Sequence, residues 1–205
     1  MAKHTYTAVE PFSITLHKWL SGKGDKTLLA LIQVFKEKSF AIIFLLMMAI
    51  PSLPLPTGGI THVTEAVAIL VSLELIAGRT TIWLPNRWLK VNVGKFMSGK
   101  PVQKLLKLIE WFERRSRRRG AGILVMRPVL SLVGLVVLIF TVAAFVAPPF
   151  SGLDTLPSLG VLIISLGLIL EDIVVLLAGV LVGIGGIALE IAAGTALYSG
   201  LTHFF

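Results

Sequence analysis

Ile50-Pro51-Ser52-Leu53-Pro54-Leu55-Pro56-Thr57-Gly58-Gly59 is a turn carrying three prolines and two glycines, set between apolar runs, Ser39 to Ile50 and Ile60 to Gly78, with neither lysine nor arginine. As a helix, Ser39 to Ile50 measures about 18 Å at 1.5 Å per residue, against a hydrocarbon core of roughly 30 Å. That length makes it a half-span. A helix that stops partway across a bilayer must satisfy its freed carbonyls against protein or trapped water, so broken backbone at that depth usually lines a cavity. The other reading is a plain turn at the membrane surface, the helix thinning the bilayer or drawing on residues before Ser39. Pro and Gly are common in both places.

Working outward, composition sets the class. The chain has 205 residues, 55% hydrophobic and 15% charged, with a mean hydropathy of +0.88. An aqueous surface is hard to build from that mixture, and the expectation is an all-α, polytopic transmembrane protein. All 19 lysines and arginines fall before Ser39 or between Arg79 and Arg127. By the positive-inside rule both basic regions are cytoplasmic, in a multi-pass protein of a bacterial inner membrane with its N-terminus inside. Cations flanking spans explain the net charge of +8 without nucleic acid, which is not expected as a partner. With no cysteine, disulfides, thiolate metal sites and thiol nucleophiles drop out. Met1 to Phe12 lacks the apolar core of a signal peptide, so the first hydrophobic run is expected to remain in the mature protein.

Four segments follow. Residues 1–38 are cytoplasmic and interfacial, with a short helix around Ile14 to Leu20 and a second that Asp25 can cap. Residues 39–78 form the first membrane hairpin with its proline-rich break. There Glu65 reads as a cap at the polar start of the span, while Glu74, deeper, must face protein or a watery cavity or be protonated. Residues 79–128 are the basic segment. Trp83 and Trp88 mark the interface, Pro101 to Arg114 is an amphipathic interfacial helix, and Arg114 to Arg119 adds five arginines. This loop reads as a topology signal and an anchor on anionic lipids of the bilayer, ahead of recognition of an anionic sugar or pyrophosphate. Residues 129–205 hold the apolar helix Val129 to Ala147, a short helix Leu159 to Leu170 ending in Glu171-Asp172, and a glycine-rich helix Ile173 to Leu189. Gly179 and Gly183 allow close packing, within the chain or between protomers, and a homo-oligomer is expected.

Sliding the chain by 93 positions lays Pro56 on Pro149, Gly59 on Gly152, Ser72-Leu73 on Ser165-Leu166 and Leu75-Ile76 on Leu168-Ile169. Coincident breaker residues argue for two similar helix-hairpin units. The same shift puts Arg79 on Asp172, opposite charges that can meet or face one cavity if the units pack about a pseudo-twofold axis.

Gly24-Asp25-Lys26-Thr27-Leu28-Leu29, the run ending Ile50-Pro51-Ser52-Leu53-Pro54-Leu55-Pro56, Glu74-Leu75-Ile76-Ala77-Gly78-Arg79, Trp83-Leu84-Pro85 and Leu168-Ile169-Leu170-Glu171-Asp172 together resemble the ExoD family of bacterial membrane proteins, named for exopolysaccharide synthesis. The resemblance covers about Gly22 to Gly186. It implies a polytopic inner-membrane protein linked to exopolysaccharide production. The family pattern has Gln at position 74, which moves weight from Glu74 toward Arg79, Glu171 and Asp172.

Three functions compete. The first is a transporter-like component moving a small charged solute between the two units, with Arg79, Glu171, Asp172, Glu74, Pro54 and Pro56 as the substrate-binding set. The second is a non-catalytic organiser or regulator of exopolysaccharide machinery. The third, an intramembrane enzyme on a lipid-linked sugar, is weakest: no Ser-His-Asp arrangement or phosphate-cradling loop occurs, and the four histidines are scattered. No enzyme activity, cofactor or metal is expected.

Overall fold

The computed structural model describes residues 11–35, 38–54, 59–79, 81–94, 99–116, 118–120, 122–148 and 151–204. Among these the chain is helical throughout, with α1 (Phe12–Ser21), α2 (Leu28–Val34), α3 (Ser39–Met48), α4 (Gly59–Ile76), α5 (Asn86–Leu89), α6 (Lys100–Arg115), α7 (Arg127–Val146), α8 (Thr155–Leu170) and α9 (Ile173–Phe204). One isolated antiparallel bridge, Thr27 with Asn92, ties the N-terminal helices to the basic segment.

Two short apolar helices form the centre. In α3 every residue except Met47 is buried, and α8 is buried from Pro157 to Leu170 apart from Leu159 and Ile163. They start at opposite ends, because Lys38, just before α3, donates from Nζ to the Ile169 carbonyl at the end of α8 at 2.7 Å. Around this pair run α4, α7 and α9. Helices α4 and α7 are antiparallel: Ser131 Oγ donates to the Ile76 carbonyl at one end, and the His62 and Phe145 rings meet at 5.4 Å at the other. Helix α7 buries Val133, Gly134, Val137, Phe140, Thr141 and Ala144, a stripe at helical spacing, and turns Leu132 and Val146, 61% and 73% exposed, outward. Helices α7 and α9 are long and apolar enough to cross a bilayer, and about a third or less of each span is buried. Such an exposed apolar belt suits lipid rather than water.

The α8–α9 seam is made of glycine. A Cβ on Gly160 would lie 2.7 Å from the Gly183 backbone, and one on Gly167 would lie 2.5 Å from the Leu176 nitrogen. Where lipid tails are as apolar as the side chains, close backbone approach replaces the hydrophobic effect as the source of helix association. The Gly179 and Gly183 face is therefore spent inside the chain.

Several local expectations change. Helix α2 is capped by Thr27, whose Oγ1 accepts from Ala30 N–H, and not by Asp25, which lies two residues before the cap once the helix begins at Leu28. Helix α8 begins at Thr155, four residues earlier than expected, because Pro157 sits in the first turn, where a missing N–H costs nothing. Helix α9 continues through Glu190 to Phe204 instead of stopping at Leu189, so Glu190 is an interior residue of the helix.

At the break after α3, the freed carbonyls are satisfied by the chain itself. Ser52 N–H donates to Met48 O at 3.0 Å, Ser52 Oγ to Ala49 O at 3.2 Å, and Leu53 N–H to Ile50 O at 3.1 Å. Pro51 and Ser52 are buried and Pro54 is exposed; Leu55 to Gly58, including the expected site residue Pro56, lie outside the described residues.

Candidate functional site

Charged groups gather at both ends of the bundle. At the basic end, α8 stops at Glu171, which takes a left-handed conformation at φ 55°. That turn is costly for a residue with a Cβ, and the surroundings hold it. Gly120 N–H donates to the Glu171 carbonyl at 2.9 Å, Lys38 Nζ sits 2.9 Å from Glu171 Oε1, and Arg118 lies 3.4 Å from Oε2. Asp172, 3% exposed, accepts from Val174 N–H at 3.0 Å, so it caps α9, and from Ser116 Oγ at 2.9 Å. The Glu171-Asp172 corner therefore joins α3, α8, α9 and the basic segment.

Arg79 follows a glycine cap. Gly78 has φ 72°, its N–H donates to Leu75 O, and Arg79 N–H donates to Glu74 O at 3.1 Å. The Arg79 side chain is exposed, and among the described residues no ion pair joins it to Glu171 or Asp172. Glu74 is buried beneath it. Its Oε2 accepts from Trp83 N–H at 2.7 Å and pins the loop after α4, while Oε1 has no partner among the described residues. The sequence-derived set thus resolves into a corner, a loop pin, an exposed cation and an exposed proline, Pro54.

The opposite end brings together groups that spacing alone did not connect. Glu65, one turn after His62 on α4, is 0% exposed, and its Oε2 lies 2.9 Å from His62 Nδ1. It is a buried member of the bundle rather than a surface cap. Asp154, at the N-cap of α8, lies within electrostatic reach of His62, Glu65 and, on α9, Glu190. Burial pushes the Asp154 carboxyl above its ordinary range, with His62 acting the other way. Glu190 had one visible signal: it is the sole charged residue after Asp172. Its relevance stayed hidden because only the α8–α9 seam sets its neighbours.

A family model described as exopolysaccharide synthesis, ExoD, matches residues 12–192. The chain belongs to the ExoD family. ExoD membership ties it to exopolysaccharide synthesis and, with two helices able to span a bilayer, to a membrane. A curated relative, an uncharacterized protein of the cyanobacterium Synechocystis, is 26% identical over 139 residues, which is 68% of this chain and 65% of that protein. The match thus spans just under two thirds of the relative's length. No solved structure matches significantly.

Proposed function

We propose that this ExoD chain is a transporter-like component of exopolysaccharide production, a multi-pass inner-membrane protein with its N-terminus in the cytoplasm, which moves a small charged solute between two similar units. The observation that carries the reading is the central pair of short apolar helices. Helix α3, with 10 residues, is about 15 Å long, half of α7, yet it is buried and its broken end is satisfied by protein. Short helices ending inside a bundle, next to buried ionisable groups, are how transporter sites are commonly built. The two-unit reading gains support from helix limits: α4 displaced by 93 residues gives 152–169, against 155–170 for α8. Both run from the far end toward the basic end, so such units would be parallel. Exposed Arg79 is suited to drawing an anionic group toward the basic end, where Glu171 and Asp172 stand.

The alternative, an organiser of exopolysaccharide machinery, draws on the basic face instead. Helix α6 is held to α1 by Glu110 with His17 and by Glu113 with Ser13, and it leaves Trp111, Arg114 and Arg115 exposed beside the arginine run. Anionic lipids would hold that face to the bilayer in either reading. Solute flux in proteoliposomes separates the two: saturable uptake supports the transporter, while co-purification of a synthase without uptake supports the organiser. In cells, Arg79→Gln and Asp172→Asn, made separately, test the basic end. Loss of exopolysaccharide with normally inserted protein supports a role there, and normal output from both removes it.

A further inference from the structure

The far end of the bundle holds buried oxygens that the rest of the molecule leaves unanswered. Glu65 Oε1 has no partner among the described residues although its residue is 0% exposed, and the same is true of Ser158 Oγ. Glu190 Oε1 is likewise buried and unpartnered. At the basic end the Glu171-Asp172 corner leaves no carboxylate oxygen in that state, and Glu74 Oε1 alone shares it among the described residues there.

Three helices bring these groups to one place. Asp154 acts electrostatically on Glu65 of α4 and on Glu190 of α9. Ser158 lies one turn beyond Asp154 along α8, its N–H bonded to the Asp154 carbonyl at 3.1 Å. Glu190 is aimed there by the glycine seam. Residues 179, 183, 186 and 190 recur at helical spacing along one side of α9, and a Cβ on Gly186 would lie 2.6 Å from the Pro157 ring. Glu190 is thus carried to the first turn of α8.

Asp154 thus has a carboxylate neighbour on each side, Glu65 and Glu190; such neighbours repel it, and each costs a few kcal/mol or more in apolar surroundings. Few cations are available to offset them. Helix α4 supplies His62, α7 supplies Phe145, and α3 has no titratable residue from Phe40 to Met48. The connecting loops, Leu55 to Gly58 and Pro149-Phe150, contain no ionisable residue in their sequence. A metal ion is one remedy, but among the described residues no three His, Asp or Glu side chains converge as ligation requires. A proton needs only one oxygen. It also neutralises a carboxylate that, in apolar surroundings, keeps one oxygen without a partner among the described residues.

We propose that Glu65, flanked by His62 and Asp154, with Ser158 and Glu190 beyond Asp154, is a proton-exchange site, and that the proton is the ion coupled to solute movement; the second half rests on the transporter reading above. Glu65 takes a proton from the side of Asp154 and passes it to His62, whose Nδ1 is already 2.9 Å from Oε2. No covalent bond other than the O–H and N–H changes in this step.

Infrared titration of the full chain in phospholipid vesicles tests the site. The wild type shows the carbonyl band of a buried protonated carboxyl, which fades as pH rises. Glu65→Gln removes this band, and Glu74→Gln, on the same helix at the basic end, leaves it. Asp154→Asn removes a negative neighbour of Glu65, so the midpoint of the band moves to lower pH, a shift that a purely structural role would not cause; Glu190→Gln, whose neighbour is Asp154, moves it less. The Asp154→Asn shift decides the matter if Glu65→Gln fails to fold. A wild type without the band, or a band indifferent to every far-end variant, overturns the site. A pH-sensitive dye trapped in the same vesicles reads proton movement under an imposed gradient. A titrating band without proton movement keeps the site and removes the transporter reading. Proton movement that is unchanged in Glu65→Gln overturns the site's coupling role.

Discussion

The Glu171-Asp172 corner and the far-end cluster both place carboxylates where apolar helices stop, and they treat them in opposite ways, while Glu74 at the basic end, like the far cluster, keeps one oxygen unpartnered among the described residues. At the basic end Glu171 meets Lys38, Arg118 and the Gly120 amide, while Asp172 meets Ser116 and the first turn of α9. At the far end Glu65 has one partner for two oxygens, and an oxygen of Glu190 and the hydroxyl of Ser158 have none among the described residues. A satisfied buried charge contributes to the shape of a protein. An unsatisfied one lowers stability and is retained where something else binds. The difference predicts that changes at the basic corner are felt in folding, and that changes at the far cluster are felt in proton chemistry.

The largest stability effect is expected at the seam that joins both ends. Gly183→Ala would put a Cβ 2.0 Å from the Phe140 ring, and overpacking of that kind costs about 1–3 kcal/mol. Unfolding in detergent, followed by circular dichroism, measures the loss, and the far-end carboxyl band should weaken with it as Glu190 moves away from α8. Next comes the corner. Asp172→Ala removes the α9 cap and leaves the Ser116 hydroxyl without that acceptor, for about 2 kcal/mol, part of which Asp172→Asn should restore. At the far end, Glu65→Gln is expected to change stability by less than about 0.5 kcal/mol or to raise it, because it removes a repelling charge and keeps the shape. If it costs as much as Asp172→Ala, the contrast between the ends is lost.

The smallest effect is a pH dependence at Asp154. Burial raises its carboxyl in the folded state above the unfolded value, so between those two values the folded chain binds more protons than the unfolded one. Stability contributed by this group then falls as pH rises through that window, which lies upward from the ordinary carboxylate range. Asp154→Asn should flatten this part of the profile. Unfolding midpoints of the two proteins, measured from acid to neutral pH, check the sign; a wild type that becomes more stable over the window, relative to the variant, refutes it.

Much of the helical framework was legible in one dimension. Apolar runs bounded by Pro51, Pro54 and Gly78, or by Pro148 and Gly152, can form little else, and their helical expectation needs no knowledge of neighbours. The charge asymmetry and the family-bearing motifs were equally plain, since both are properties of order along the chain. Boundaries were less so. The helix expected from Leu159 begins at Thr155, with Pro157 in its first turn, and the one expected to end at Leu189 runs on to Phe204.

What only the tertiary structure decided is which charges are answered. Arg79 and Asp172 matched in register, but register along a sequence says nothing about distance across a bundle, and no ion pair joins their side chains. His62, Glu65, Asp154 and Glu190 are separated by up to 128 positions, and their meeting depends on α8 and α9 approaching to glycine contact and on α4 running alongside. Order along the chain determined that the protein is helical, apolar and basic at one end. Packing decided where its buried carboxylates stand unpaired, because the free energy of a charge depends on what surrounds it in space and not on what precedes it in sequence.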